Sequence, residues 1–418
     1  MPLSTLVLTI GAKVMAAIAD LPGRCGTVMI PAGSYSQTTT IKKPACVGIR
    51  GQGACNTIFN WTPRKGTALV LADVGGTYPQ EEVSDLQLNG ASNSAATIGI
   101  YLGGDPAGVI SPKGSFAEHQ NFNRVNVRFF GTGVQWGNNA FDNSFSQSVI
   151  TNNGTGIFYP GNVTGSGESI SFFSTSIQNN IVMGINLTGY SDFYFYGSRC
   201  DYNATCGLID GAATAHFFGT HFEQGSNTFL TLGNCCGDPR LNVYISGGQI
   251  VESSPTGTDN QIINVLAGSA SSRALTMEGT EIIVLHPNTN FVTWSATGSA
   301  DILNISGIYN TSPTAFTNIA SNCAFSRCSI RKVKLSNKVS PSSVAANTCA
   351  SQDMVFPGIQ GTDNVISISS GAPQPGLAVI SGKATPGIAD HVAVMFCNVT
   401  AATIFPTPGI IYTAFLEQ

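Results

Sequence analysis

The chain has 418 residues, 42% hydrophobic but only 10% charged, with 47 glycines, 20 prolines and a formal net charge of −4. Ordinary globular domains carry roughly 25% charged residues. The apolar content excludes a charged disordered tail, the glycines lack the every-third spacing of collagen, and the acidic balance offers no basic surface to release counterions from a nucleic-acid backbone.

At the N-terminus, the apolar stretch from Leu6 to Ala19 is interrupted by Lys13 and falls short of the roughly 18 to 20 residues that a membrane helix needs. It also lacks the basic leader of a secretory signal, so it reads as amphipathic structure, with a short helix over Ala12 to Asp20 and no membrane insertion. Next come a strand and turn, Gly26-Thr27-Val28-Met29-Ile30-Pro31-Ala32-Gly33-Ser34-Tyr35, and then Val47-Gly48-Ile49-Arg50-Gly51-Gln52-Gly53.

The middle of the chain repeats. Two alternating apolar residues, a short polar bend, an apolar anchor, an Asn-rich turn and a Gly-apolar-x-apolar stretch recur about the anchors Ile150, Ile177, Cys200, Phe222, Ile250, Ile282 and Ile308. A variable period in the twenties, with period-two alternation and many turn residues, excludes helical repeats and predicts the coils of a right-handed parallel β-helix. Inward stacks are predicted at Ile170 and Phe172, Phe193 and Phe195, Ala215 and Phe217, Val243 and Ile245, and Leu275 and Met277. Asn153, Asn180 and Asn203, each three residues past an anchor, should form an amide ladder. The scarcity of charge follows from the same architecture, because a repeated charge would face its like about 5 Å away on the next coil.

The N-terminal helix, the Pro-Ala-Gly turn and the Gly-x-Gly turn together resemble the entry into the pectate-lyase-like β-helix superfamily. His221-Phe222-Glu223 is similar to a pattern in bacteriophage tailspikes of that superfamily, and the resemblance covers roughly residues 10 to 330. It implies a homotrimer in a virion tail. The partners it implies are a host-surface polysaccharide, O-antigen or capsule, and a phage tail or adaptor protein reached through the N-terminus. From Pro341 onward the repeat is lost, and short alternating stretches such as Ala389 to Thr400 and Ile410 to Leu416 predict a β-sandwich-like cap, which the resemblance implies would serve trimerisation or receptor binding. The expected organisation is an attachment segment with capping helix over 1–24, the β-helix over 25–335 and the C-terminal β domain over 336–418.

The inward face of a β-helix is filled, so chemistry must use outward columns. Aligning the anchors places Arg199 and Asp201 beside His221 and Glu223. Glycoside hydrolysis needs one protonated and one ionised carboxyl group, and the proximity of two carboxyls raises one pKa. Glu223 is therefore the expected acid and Asp201 the base, roles that the sequence leaves exchangeable, with Arg199 and His221 orienting substrate. A surface ion-pair cluster is the competing reading. Tyr194, His216 and Tyr244 share a second column, with Tyr196 and Phe218 two residues on, and exposed aromatics there suit sugar rings; burial between subunits is the alternative. Trp136 and Trp294 are lesser candidates, more consistent with packing. Glu252 joins the cluster if its turn bulges by one residue, whereas Glu278 and Asp238 lack evident partners.

No convergent carboxylates mark a calcium site, and no cofactor or metal is expected. A metal-free β-elimination with His221 or Tyr194 as base and Arg199 neutralising a uronate stays open, as does a non-catalytic adhesin or fibre. Eleven cysteines at irregular spacing, including the pair Cys235-Cys236, predict reduced, buried fillers such as Cys206 and Cys328 in a cytosolic setting. Eight Asn-x-Ser/Thr sequons, Asn153, Asn203 and Asn398 among them, are read as turn chemistry.

Overall fold

The computed structural model describes residues 9–72, 82–93, 96–224, 228–233, 240–252, 261–266, 272–283, 290–294, 302–307, 309–310, 318–321, 328–331, 333–357, 359, 361 and 363–417. The chain divides into two compact units, residues 1–222 with 233–243, and residues 223–232 with 244–418.

The first unit is a parallel β-helix. It opens on a helix, Ile10–Asp20, that buries Ile10, Gly11, Val14 and Ile18. The helix lies so close to the first coil that a Cβ at Gly11 would meet the Thr39 carbonyl. Most coils then lay down three short strands, the first two running together in Val83–Asn89 and Asn121–Arg128, and strands pair in parallel with their equivalents on the next coil. In one coil these are Ile170–Phe173, Ser176–Gln178 and Met183–Leu187; in the next, Ser191–Tyr196, Arg199–Asp201 and Gly207–Ile209. Crossovers of this kind are right-handed because twisted strands pack back onto their sheet only in that sense.

The first and second strands of a coil meet at a one-residue bend with positive φ: Gln147, Ser174, Gly197 and Gly219 lie between 47° and 59°. That left-handed turn points the following strand away at a corner, and the anchor follows three residues later. Ile150 accordingly pairs with Ile177, and Ile177 with Cys200. The predicted inward residues of this unit are buried without exception. Their rings form a continuous stack, Phe145–Phe172–Phe195–Phe217, with centroids 4.7 to 5.1 Å apart. Trp136, read as more consistent with packing than with binding, is fully buried against Phe193; the side chain of Trp294 lies outside the described residues.

At the second corner the amide ladder forms as expected. Asn153 donates through Nδ2 to Asn180 Oδ1 at 3.1 Å, and Asn180 to Asn203 Oδ1 at 2.8 Å, all three buried. Each amide oxygen also accepts a backbone N–H one coil back. Two of the sequon asparagines, Asn153 and Asn203, are thus ladder rungs, and a third, Asn398, is buried with its amide on the Val344 and Ala402 carbonyls.

The second unit continues with parallel coils and ends in antiparallel sheets. Leu275 and Met277 are buried, and Ile250 pairs with Ile282. The alignment at Ile308 needs correction: Ile282 pairs with Asn310. Gly307 supplies the positive-φ bend there, and three residues past it stands a polar residue, so choosing an apolar anchor misplaced the register by two. From Val333 the pairing turns antiparallel, with Val333–Val339 and Asn364–Ser370 flanking Ile410–Glu417. A three-stranded sheet of Cys349–Val355, His391–Asn398 and Leu377–Ala384 completes it. Phe396 and Tyr412 meet edge to face between these sheets at 5.8 Å, which makes the region sandwich-like.

The cysteine expectation fails for six of the eleven. Cys25–Cys46, Cys200–Cys206 and Cys349–Cys397 are disulfides. Among the described residues only Cys55 is a free thiol, and it is exposed. Strand register explains what spacing could not: Gly26 pairs with Val47, which sets the preceding cysteines side by side, and Cys349 lies directly opposite Cys397. Among the described residues no helix is long and apolar enough to cross a membrane.

Candidate functional site

The outward residues of the first strand row in the first unit form two adjacent columns. One runs Ser144, Ser171, Tyr194, His216; the other runs Ser146, Phe173, Tyr196, Phe218. Side chains two residues apart share a face of a strand and equivalent residues stack along the coils, so four aromatic residues and a histidine fall together. Tyr194 stacks on His216 at 4.7 Å, Phe173 on Tyr196 at 5.0 Å, and Tyr196 on Phe218 at 5.2 Å, with planes within 12° of parallel. Phe173 and Tyr196 are 43% and 37% exposed, a large apolar area to leave facing solvent.

Parallel rings whose planes touch at roughly 3.5 Å but whose centroids are 5.0 Å apart must be tilted and offset, so the rings overlap like tiles and show part of each face. Tyr244, assigned to the same column, belongs to the second unit, where its hydroxyl donates to Glu278 Oε2 at 2.8 Å.

One residue the sequence reading missed organises this surface. Asp192 stands two residues before Tyr194 on the same strand and face; its Oδ2 accepts the Tyr194 hydroxyl at 2.6 Å, and its Oδ1 lies 3.5 Å from His216 Nε2. The Asp-x-Tyr alternation was the available signal. The hydrogen bond to the Asp192 carboxylate, more than burial, pushes the Tyr194 phenol up to about 12. Tyr194 therefore keeps its proton near neutrality. Burial holds the His216 imidazole below its ordinary pKa, with Asp192 opposing.

The ionisable cluster is partly assembled. Ser176 pairs with Arg199, and the His221 N–H donates to the Ser198 carbonyl as the Arg199 N–H does to Thr175, which sets His221 opposite Arg199 on the next coil. His221 Nδ1 lies 3.0 Å from Asp201 Oδ1. Arg199 is exposed, His221 partly so, and Asp201 is only 5% exposed. Asp201 was expected as an open surface carboxylate. It lies instead inside the short loop closed by the Cys200–Cys206 disulfide, and the structure ties it to the imidazole. Glu223 follows on the same strand, His221–Gln224, half-buried, and belongs to the second unit. Of the weaker acids, Glu252 is buried, Glu278 holds Tyr244, and Asp238 lies outside the described residues. No three His, Cys, Asp or Glu side chains converge as a metal site among the described residues.

No protein-family model and no curated protein sequence matches the chain. Among solved structures it is similar to the tailspike of Pseudomonas phage LKA1, at 13% identity and a TM-score of 0.43 over 94% of this chain and 67% of that one. It is also similar to a mutant tailspike of E. coli bacteriophage HK620 in complex with a pentasaccharide, at 10% identity and a TM-score of 0.44 over 99% and 90%. A third is the tailspike of Acinetobacter baumannii bacteriophage Fri1, a capsular polysaccharide depolymerase, at 10% identity and a TM-score of 0.45 over 99% and 83%. Likenesses this distant carry no substrate and no residue role to this chain. The strand pairing by itself defines the class, a parallel β-helix with an antiparallel C-terminal region.

Proposed function

We propose that this chain is a bacteriophage tailspike that binds a host-surface polysaccharide, O-antigen or capsule, on the outward face of its first unit and depolymerises it by glycoside hydrolysis. The observation that carries the reading is the exposed ladder Phe173–Tyr196–Phe218 beside Tyr194 and His216. Tilted apolar rings take up the C–H faces of sugars, while Asp192 on the strand of Tyr194 and Tyr196, and Arg199 and His221 on the strands that follow the bends at Gly197 and Gly219, offer charged and polar groups for hydroxyls. In the proposed cleavage, Glu223 protonates the glycosidic oxygen as the C–O bond breaks. A water then adds to the anomeric carbon and loses its proton to the His221 imidazole, which Asp201 orients and whose charge it balances.

Assembly as a homotrimer, attached to the phage tail or an adaptor protein through the N-terminus, belongs to the same proposal. The exposed Ile366, Ile380, Val399 and Phe405 of the second unit are apolar surface that such an assembly would cover.

Incubation with capsule or O-antigen from candidate hosts, followed by sizing of the products, tests the proposal. New reducing ends are expected, and Glu223→Gln should lower their release by about 10² to 10⁴-fold while leaving polysaccharide binding intact. Unchanged turnover in that variant removes Glu223 from the mechanism. A second reading rests on the placement of Arg199 opposite His221: β-elimination, with His221 taking a proton from a uronate whose carboxylate Arg199 neutralises. Unsaturated product ends would select it. Binding without any new ends would leave a non-catalytic adhesin.

A further inference from the structure

Away from the aromatic ladder, the first unit contains a second concentration of charge. Asp85 and Arg124 occupy the bend positions of consecutive coils, both at positive φ, and Arg124 grips Asp85 with two hydrogen bonds, Nε to Oδ1 at 2.6 Å and Nη2 to Oδ2 at 2.9 Å. Arg50 adds a contact from Nε to Oδ2 at 3.3 Å. Two guanidinium groups thus share one carboxylate, leaving a local charge of +1 in a chain whose net charge is −4.

The carboxylate is almost buried, whereas Arg50 and Arg124 are 51% and 43% exposed. Each guanidinium carries five N–H donors, so the contacts with Asp85 fix the two forks and leave donors for a ligand. The cluster lines a concavity of about 380 Å³ together with Met29, Gly51, Gln52 and Gly53. A Cβ at Gly51 would strike the Asp85 carbonyl, so the backbone closes tightly behind the cluster. Asp85 is low in pKa chiefly through its bond to Arg124, so this ion pair persists across the neutral range.

The strand register links this concavity to the ladder. Arg50 pairs with Ser84, Ser84 with Asn123, Asn123 with Ser146, Ser146 with Phe173, and Phe173 with Tyr196. Arg50 and the exposed rings therefore belong to one outward column, four coils apart, about 19 Å at one strand spacing per coil. The positions between them are Ser84, which is buried, and Asn123 and Ser146, which are half-buried, so the two ends share a register and the column is covered at Ser84.

We propose that the Arg50–Asp85–Arg124 concavity is a second saccharide subsite, which takes the carboxylate of an acidic sugar. It lies about four coils N-terminal to the aromatic ladder on the same extended polymer. The inference rests on the polysaccharide-binding reading above and adds the class of substrate, an acidic glycan. Bidentate guanidinium geometry matches a carboxylate, and the shared Asp85 holds both forks in place before binding.

Titration of the full chain with galacturonate, galactose and inorganic phosphate, following the arginine Nε–Hε NMR signals, tests the subsite directly. Galacturonate should shift the Arg50 and Arg124 signals and galactose should not. Arg50→Gln, which leaves Asp85 its bond to Arg124, should weaken galacturonate binding roughly tenfold or more, and Arg50→Lys should restore only part of it. No shift with galacturonate overturns the subsite; shifts with phosphate alone overturn its assignment to an acidic sugar. Host polysaccharide binding by Tyr196→Ala is followed in parallel. If Tyr196→Ala binds the polymer as tightly as the unaltered protein, the reading of the ladder fails, whatever Arg50 does. If Tyr196→Ala weakens polymer binding but Arg50→Gln does not, the ladder reading stands and the acidic subsite falls.

Discussion

Truncating Asn180 to alanine tests the load that the amide ladder bears between coils. The Asn180 side chain is 1% exposed. Its Oδ1 accepts the Asn153 backbone N–H at 3.0 Å and Asn153 Nδ2 at 3.1 Å; its Nδ2 donates to Asn203 Oδ1 at 2.8 Å and to the Ile150 carbonyl at 3.3 Å. Asn203 Oδ1 keeps the bond from the Asn180 backbone N–H and Asn153 Nδ2 keeps its bond to the Val127 carbonyl, so the principal damage is the stranded backbone N–H of Asn153 and the loss of one of the two Nδ2 bonds. A buried unsatisfied polar group costs about 1 to 3 kcal/mol. With some repair by water entering the vacated space, the expected loss is about 3 to 4 kcal/mol.

The control is Gln178→Ala, two residues away on an outward, half-buried position, where only a bond from Ser176 is lost and the cost should stay below about 1 kcal/mol. Urea unfolding midpoints measure both variants, and unfolding rates at a fixed urea concentration do so if refolding is incomplete. Asn180→Asp should fare no better than alanine, since it sets a carboxylate oxygen against Asn203 Oδ1. Equal losses in Asn180→Ala and Gln178→Ala would refute the assignment of stability to the ladder.

Asp192→Asn should bring Tyr194 ionisation down from about 12 toward its ordinary value of 10.0, read by ultraviolet titration against Tyr194→Phe. In the unaltered protein, the stability from this pair is full below about pH 10 and is lost as the pH rises toward 12; an unmoved titration in Asp192→Asn would show that another group holds the phenolic proton. Arg124 holds the Asp85 carboxyl below its usual range, so this pair stabilises the fold above the unfolded carboxylate pKa of about 3.9 and less as the pH falls through its folded value. Asp85→Asn should therefore be less stable at pH 7 and converge on the unaltered protein in acid; a deficit independent of pH would count against the ion pair. Alkylation under non-reducing conditions should label Cys55 and spare Cys25, Cys46, Cys200, Cys206, Cys349 and Cys397, with labelling of Cys200 or Cys206 contradicting the disulfide beside Asp201.

The coils were legible because their code is local. Alternation put Phe172, Phe193, Phe195 and Phe217 inside, and the repeated Asn three residues past the anchor marked the ladder. Ile308 shows where that reading breaks. The register is set by the positive-φ bend, and an apolar residue next to Gly307 looks like an anchor without being one. In the candidate site, the aromatic columns followed from the same alignment, and Tyr194, Tyr196, His216 and Phe218 do share one face. Asp192 was passed over because a single acid on a strand has no visible partner until Tyr194 and His216 are in place around it. The burial of Asp201 was equally hidden: the position after an anchor is outward by alternation, but Asp201 is 5% exposed and its carboxylate lies 3.0 Å from the His221 imidazole of the next coil.

The sequence by itself determined the architecture, a solenoid of short parallel strands with a polar, uncharged surface. Period-two alternation, bend residues and the avoidance of stacked charge all act within a coil or between equivalent positions. Only the tertiary structure decided which side chains meet across coils: the disulfides, the Asp201–His221 contact, the Asp192–Tyr194 bond and the two arginines on Asp85. Those pairings join residues some 20 to 50 positions apart, apart from the short Cys200–Cys206 loop and the Asp192–Tyr194 step. Their geometry depends on the residue count of every intervening turn, a quantity that the alternation of apolar residues does not encode.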